Sequence, residues 1–158
     1  MVRSVGDDAH EQKVIDDVAE YGWHCVNILA DGEDGPYSFT VGLQKSYGHP
    51  ELIIFGLPSG VSHEILSLAA EAIQRGQPID LESSTDEFLN DYECVFVPVP
   101  VAEYHQHVGY CRWYYEGNDF LLYQIVWPSR DGHFPWHPAA TESFRSNQPV
   151  LGHVARGT

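Results

Sequence analysis

A short connection, Lys45 to Pro50, separates two stretches with strand character, and its length decides how they can pair. The first, Tyr37 to Gln44, carries Tyr37, Phe39, Val41 and Leu43 at every second position and is interrupted by Gly42. The second, Glu51 to Leu57, is apolar after its first residue and broken by Gly56. Parallel neighbours need a crossover of roughly a dozen residues or more, so this pair must run antiparallel. Setting Gln44 opposite Glu51 brings Phe39 over Gly56, a ring covering a bare glycine. That register puts Ile53, Phe55 and Leu57 on the face that carries Ser38 and Thr40.

Upstream, Trp23 to Ala30 reads as a strand and DGEDGP (31–36) as its turn into Tyr37. With Ala30 opposite Tyr37, Ile28 meets Phe39 and Val26 meets Val41 on one apolar face. The other face pairs Asn27 with Thr40, Leu29 with Ser38 and Trp23 with Gln44. It is neither cleanly polar nor cleanly apolar, as partly covered faces are.

The helices announce themselves by caps and stripes. Asp8 and Glu11 have capping-box spacing, Val14, Ile15 and Val18 form a stripe, and Gly22 is a stop, which predicts a helix over 8–21. Pro58-Ser59 opens a second helix to about Arg75, burying Ile65, Leu66, Ala69, Ala72 and Ile73 before Gly76. Residues 77–92 read as a polar connection, with Ser84 and Glu87 again at capping-box spacing. Cys94 to Val99 reads as a strand that Pro98 and Pro100 place at an edge or end early. Val101 to Glu116 returns to helical period through Tyr104, Val108, Cys111 and Tyr115. Phe120 to Trp127 is an apolar strand with one polar insert, Gln124.

Beyond Pro128 the chain is rich in Pro, Gly and His, yet Phe134, Trp136 and Leu151 are too apolar to leave in water. The expected architecture is a single α+β domain over 1–152, followed by a flexible tail, 153–158. It holds a mainly antiparallel sheet of about five strands, about three longer helices and an irregular aromatic C-terminal segment packed on the sheet.

The charge balance narrows the partners. Twenty-three acidic side chains against eight basic ones leave −15, a field that disfavours nucleic acid and membrane surfaces. It serves solubility, or it steers the chain to a basic protein. No window reaches the ~18 continuous apolar residues of a membrane span. The opening MVRSVGDDAHEQKV lacks a signal peptide's apolar core. Cys25, Cys94 and Cys111 fit neither a disulfide framework nor a zinc knuckle, so the expected setting is a reducing cytoplasm.

Candidate chemistry is sparse. His49-Pro50-Glu51 sets a base two residues from a carboxylate, an acid–base pair if the fold brings them together and a loop-to-strand corner if it does not. On a helix His105 and His107 lie about 200° apart and cannot share an ion, and Cys111 belongs to the core stripe. No metal site is assigned; His133 and His137 bracket Phe134-Pro135-Trp136, and whether they meet His153 or Asp131 stays open. No nucleophile elbow and no Gly-rich phosphate loop is present, and Arg112 and Arg130 are the candidates to hold a flavin or nucleotide phosphate. Amphipathic residues are more suggestive: Asn27, Thr40, Tyr47, His49, Gln124, Trp127 and Trp136 lie near strand ends or on the mixed face, as in small-molecule pockets and peptide grooves. They also suit a core completed by aromatics.

Four blocks in this order, PYSFTVGL, HPELIIFGLP, the helix ending at Gly76, and YQIVWPSRDGHFPWHP with a late QPVLGH, resemble the bacterial domain-of-unknown-function family 4262 over roughly Val14 to Gly152. The resemblance implies a small α+β domain and carries no activity. Hairpin, third strand and helix also look like the opening of flavin-reductase split barrels, with basic residues for a flavin phosphate scarce. The first functional expectation is a non-catalytic cytosolic binding module with a small-molecule or peptide pocket on the mixed sheet face. The alternatives are an enzyme using His49 and Glu51, with a flavin or a metal, and an acidic inhibitor or immunity-type protein for a basic partner.

Overall fold

In the computed structural model, which describes residues 2–29, 35–77, 79–89 and 92–152, Asp8 and Gly22 bracket the first helix, α1 (Ala9–Tyr21). Asp8 Oδ1 accepts the Glu11 amide at 2.8 Å, and Glu11 Oε1 accepts the Asp7 amide at 2.7 Å. The Gly22 amide closes the last turn on the Val18 carbonyl. Val14 and Val18 are the buried stripe.

Strands β1 (His24–Ile28) and β2 (Tyr37–Val41) follow as an antiparallel pair, His24 opposite Val41 and Ile28 opposite Tyr37. This is two residues from the expected register, so each side chain keeps its face. Asn27, however, meets Ser38, not Thr40. The Ala30 pairing and the turn at 31–34 lie outside the described residues.

The chain leaves β2 sooner than its alternation suggests. Gly42 has φ +107°, and a Cβ there would come within 2.7 Å of Val18 Cγ2. This left-handed residue turns the backbone into a short helix, α2 (Leu43–Tyr47). Strand β3 (Glu51–Phe55) then pairs antiparallel to β2 with Phe39 opposite Ile53. The expected partner of Phe39 was Gly56, three positions away, and an odd shift exchanges the faces. Ile53 and Phe55 therefore lie with Phe39, while Leu52 and Ile54 lie with Ser38 and Thr40.

Helix α3 (Ser59–Gln74) returns along the sheet, burying Ile65, Leu66, Ala69 and Ala70. Next come β4 (Thr85–Leu89) and β5 (Tyr92–Pro98), an antiparallel pair with Thr85 opposite Cys94. Strand β4 replaces the expected polar connection; Phe88 holds it there, edge-on to Phe96 at 6.1 Å. Strand β5 sits inside the sheet and ends at Pro98, so of the two outcomes expected of its prolines only the early end occurs.

The stretch read as one helix over 101–116 is a 3₁₀ turn (Val101–Glu103), α4 (Tyr104–His107) and α5 (Gly109–Tyr114). Val108, at φ −124° and ψ 55°, breaks it. Its stripe survives the break, with Tyr104, Val108, Cys111 and Tyr115 all buried. Strand β6 (Leu122–Val126) and helix α6 (Glu142–Asn147) complete the described elements.

The sheet order is β1-β2-β3-β6-β5-β4. Strands β3 and β6 are parallel, joined by the long crossover that such a pair requires, and every other pairing is antiparallel. The fold is α+β, and the sheet is mainly antiparallel as expected, but it carries one parallel seam and six strands where about five were expected. The extra strand is β4, and the parallel seam arises because β6 docks on β3 instead of extending the hairpins.

Both faces are covered. On one, α1, α4 and α5 pack over Val26, Phe39, Val41, Ile53, Phe55 and Leu122. On the other, α3 packs over Leu52, Ile54, Phe96 and Ile125. The face carrying Ser38 and Thr40 is this second one, which leaves no open floor there. Among the described residues no helix is long and apolar enough to cross a membrane.

The C-terminal segment is sewn to β6 and β3 by amides. Gln124, fully buried, donates from Nε2 to the Pro149 carbonyl at 2.8 Å and accepts the Leu151 amide on Oε1 at 2.9 Å. Gln148, also buried, accepts the Trp127 amide and donates to the Trp127 carbonyl, both at 2.9 Å. Its side chain thus plays the part of a neighbouring strand's peptide group. Asn147 Nδ2 donates to the Gly56 carbonyl at 2.9 Å; a Cβ on Gly56 would fall 2.9 Å from the Asn147 carbonyl oxygen. The tail 153–158 lies outside the described residues.

Candidate functional site

Because α1 packs on one face of the sheet and α3 on the other, the outer edge of β1 lies at the bottom of a groove between two helices. The groove encloses about 460 Å³. Helix α1 contributes Lys13, Asp17 and Tyr21, a stripe at i, i+4 and i+8. Helix α3 contributes His63, Ser67, Glu71 and Gln74 from a second stripe, and the strand side supplies Trp23, His24 and Cys25.

The groove has a defined interior geometry. Asp17 Oδ2 lies 2.7 Å from His24 Nδ1 and 3.3 Å from Lys13 Nζ. A carboxylate only accepts, so Nδ1 carries the proton of this contact and Nε2 is the ring's other nitrogen. The Trp23 and His63 rings stand 6.2 Å apart at 42°. Gln74 Nε2 donates to the Tyr21 carbonyl at 2.8 Å, tying the end of α3 to the end of α1. Burial pushes the Cys25 thiol up to about 11, so the thiolate that nucleophilic chemistry needs is scarce at neutral pH.

Of the residues singled out from the sequence, Thr40 and Glu51 come together, but inside the protein. Glu51 is fully buried. Its Oε1 accepts the Thr40 hydroxyl at 2.7 Å and the Leu43 amide at 3.2 Å. Its Oε2 accepts the Gly42 amide at 3.0 Å, the Gln44 amide at 3.3 Å and the Tyr115 hydroxyl in a short bond. Thr40 Oγ1 in turn accepts the Leu52 amide at 3.0 Å, and Cys111 Sγ donates to the Thr40 carbonyl at 3.2 Å. Burial pushes the Glu51 carboxyl above its ordinary range against the pull of the Tyr115, Thr40, Gln44 and Gly42 donors. The Tyr115 phenol is raised far above its usual value by burial and by the adjacent Glu51. Every lone pair in reach is spoken for, and this group of residues acts as a fastener.

His49 does not join it. Its Nδ1 lies 2.7 Å from the Pro50 carbonyl oxygen, so that nitrogen is the donor, and Nε2 is enclosed without a hydrogen-bond partner. Burial lowers its pKa, which keeps the ring neutral. The side chains of His49 and Glu51 therefore engage different partners.

The remaining candidates are dispersed. Asn27 accepts the Ser38 hydroxyl at 2.7 Å, and Tyr47 lies over Gly22. Gln124 and Trp127 hold the C-terminal segment, Trp127 also donating from Nε1 to the Phe55 carbonyl at 2.8 Å. Trp136 stacks on Phe134 at 4.9 Å. The rings of His133 and His137 stack at 4.2 Å, and His153 lies outside the described residues. Among the described residues no group of three His, Cys, Asp or Glu could hold a metal ion.

Sequence reasoning missed the groove residues Asp17, Trp23, His24, His63 and Glu71. The usable signal was the i, i+4 stripe of Lys13, Asp17 and Tyr21 leading straight into Trp23-His24.

The model of a family described as "Domain of unknown function (DUF4262)" matches residues 17–141. No curated protein and no solved structure matches the chain.

Proposed function

The chain belongs to the DUF4262 family, and we propose that it is a non-catalytic binding module whose ligand lies in the groove between α1, the outer edge of β1 and α3. One observation carries this reading. In the groove, polar and aromatic side chains from three elements converge on open space, whereas Glu51, Gln124 and Gln148 are consumed in holding the fold. Aromatic walls with a few oriented polar groups are what ligand sites use. Free Cys25, Cys94 and Cys111 favour a reducing compartment, in keeping with a cytoplasmic protein.

The test is a fragment screen read by amide and indole NMR shifts on the intact chain. Ligands should move Trp23, His24, His63 and Glu71 together. Shifts confined to the Trp136 segment, or none with any fragment, would overturn the reading.

A second reading has one specific observation behind it. The 2.7 Å contact of His24 with Asp17 is how a general base is oriented, and it faces the same groove. On that reading His24→Ala abolishes a turnover that the fold does not need, while ligand affinity survives.

A further inference from the structure

We propose that the occupant of the groove is an extended, basic segment of another protein, which adds to β1 as a further strand and carries two adjacent basic residues. The proposal rests on the groove being the ligand site and names what enters it.

The first argument is the edge. Among the described residues β1 is terminal in the sheet and pairs with β2 alone. The outward backbone amides and carbonyls of a terminal strand are a template for another strand. Here the edge is also walled by helices, which set a length. The α3 stripe from His63 to Gln74 runs eleven residues, about 16 Å at 1.5 Å each. That is about five residues of extended chain, which would enter past His24 and Cys25, the two residues of β1 that line the groove.

The second argument is charge. Asp17 stands on the α1 wall and Glu71 on the α3 wall. Asp17 Oδ2 stays with His24 Nδ1 at 2.7 Å, while Lys13, whose side chain is 67% exposed, also reaches Oδ1 at 3.4 Å, so displacing Lys13 costs little and frees that oxygen. The chain as a whole is at −15, which draws a basic segment in from a distance. Trp23 and Tyr21 line the groove, and aromatic rings attract arginine and lysine.

The third argument links the two. Successive side chains of a strand point to opposite faces of its sheet. In a strand added to β1, one face is the α1 wall and the other the α3 wall. Two basic residues in immediate succession therefore reach Asp17 and Glu71 at once. Two basic residues separated by one position would crowd a single wall.

The experiment uses the full chain and capped hexapeptides containing two arginines among valines and threonines, with affinities measured by titration calorimetry. The adjacent-arginine peptide should bind, weaken as salt rises, and slow amide exchange along His24 to Asn27. Separating the arginines by one residue, or substituting Glu71→Gln at an exposed position, should each weaken it about tenfold. N-methylation of alternate peptide amides should abolish binding in one phase and spare it in the other, because only every second amide faces β1. Equal tolerance of both phases overturns strand addition, and equal affinity for adjacent and separated arginines overturns the two-wall geometry. If neither basic peptide binds while fragments still shift the groove resonances, this proposal fails and the binding-module reading stands. If nothing binds there, both fail.

Discussion

The Tyr115 hydroxyl donates to the Glu51 carboxylate across a separation of 64 residues, and the Lys45 amide donates back to that hydroxyl at 3.2 Å. One phenol thus joins the end of α5, the start of β3 and the α2 turn. Hydrogen bonds to charged groups contribute about 1.5–3 kcal/mol. Tyr115→Phe should lower unfolding free energy by that amount in urea melts with unchanged slope. Glu51→Gln should cost about 3 kcal/mol, because its amide nitrogen would confront donors. A neutral result for both would mean the cluster is solvated in solution.

Stability should fall on the alkaline side. Burial raises the Cys94 thiol from 9.0 to about 12, and Cys25 to about 11, and raises Cys111 and Tyr115 as well. The unfolded chain releases these protons first, so it binds fewer of them above pH 9. Stability present below that pH is then lost as pH rises toward the folded values, by about 1.4 kcal/mol per unit for each buried thiol. Urea midpoints at pH 8, 9 and 10 should decline with steepening slope, and Cys94→Ala should flatten part of the decline. Constant midpoints would refute it.

Gln148→Ala leaves both the amide and the carbonyl of Trp127 without their side-chain partner. The expected loss is about 2–3 kcal/mol, concentrated in the C-terminal segment. Protease cuts within 128–147 and faster amide exchange at Trp127 are the readouts, with the α1–β2 region unaffected. Gln148→Glu keeps the acceptor for the Trp127 amide but sets a buried carboxylate oxygen against the Trp127 carbonyl, so it should lose at least as much.

Gly42→Ala meets two obstacles, the positive φ and the 2.7 Å approach of Val18 Cγ2. A cost of about 2 kcal/mol or more is expected from strain and overpacking. The Gly42 amide is one of the Glu51 donors, so the same change should also shift the Tyr115 ring resonances. Unaltered resonances with a loss of stability would separate the steric effect from the Glu51 contact.

Local signals were legible where they decide local structure. Asp8, Glu11 and Gly22 marked α1, and Pro58 and Gly76 marked α3 to within a residue or two. Alternation misled at Leu43, because apolar spacing cannot reveal that Gly42 takes a positive φ and ends the strand. Ser84 and Glu87 have helix-cap spacing, yet the pairing of Thr85 with Cys94 overrode it. His49 and Glu51 looked like partners because they are close in sequence, but Glu51's partners include Tyr115, which no local pattern could supply. The groove was out of reach for another reason. It exists only because β1 is terminal in the sheet, a property of the strand order as a whole.

The parallel seam between β3 and β6 sets an order of events during synthesis. Strand β3 is complete once Phe55 has been made, but its second neighbour begins at Leu122. At ~5–20 residues per second the ribosome needs several seconds to cover that gap. Throughout it the nascent chain holds β1, β2 and β3 with one side of β3 unzipped and Glu51 still waiting for Tyr115. A ribosome stalled in that interval would leave an apolar ladder exposed, and chaperone capture should peak there.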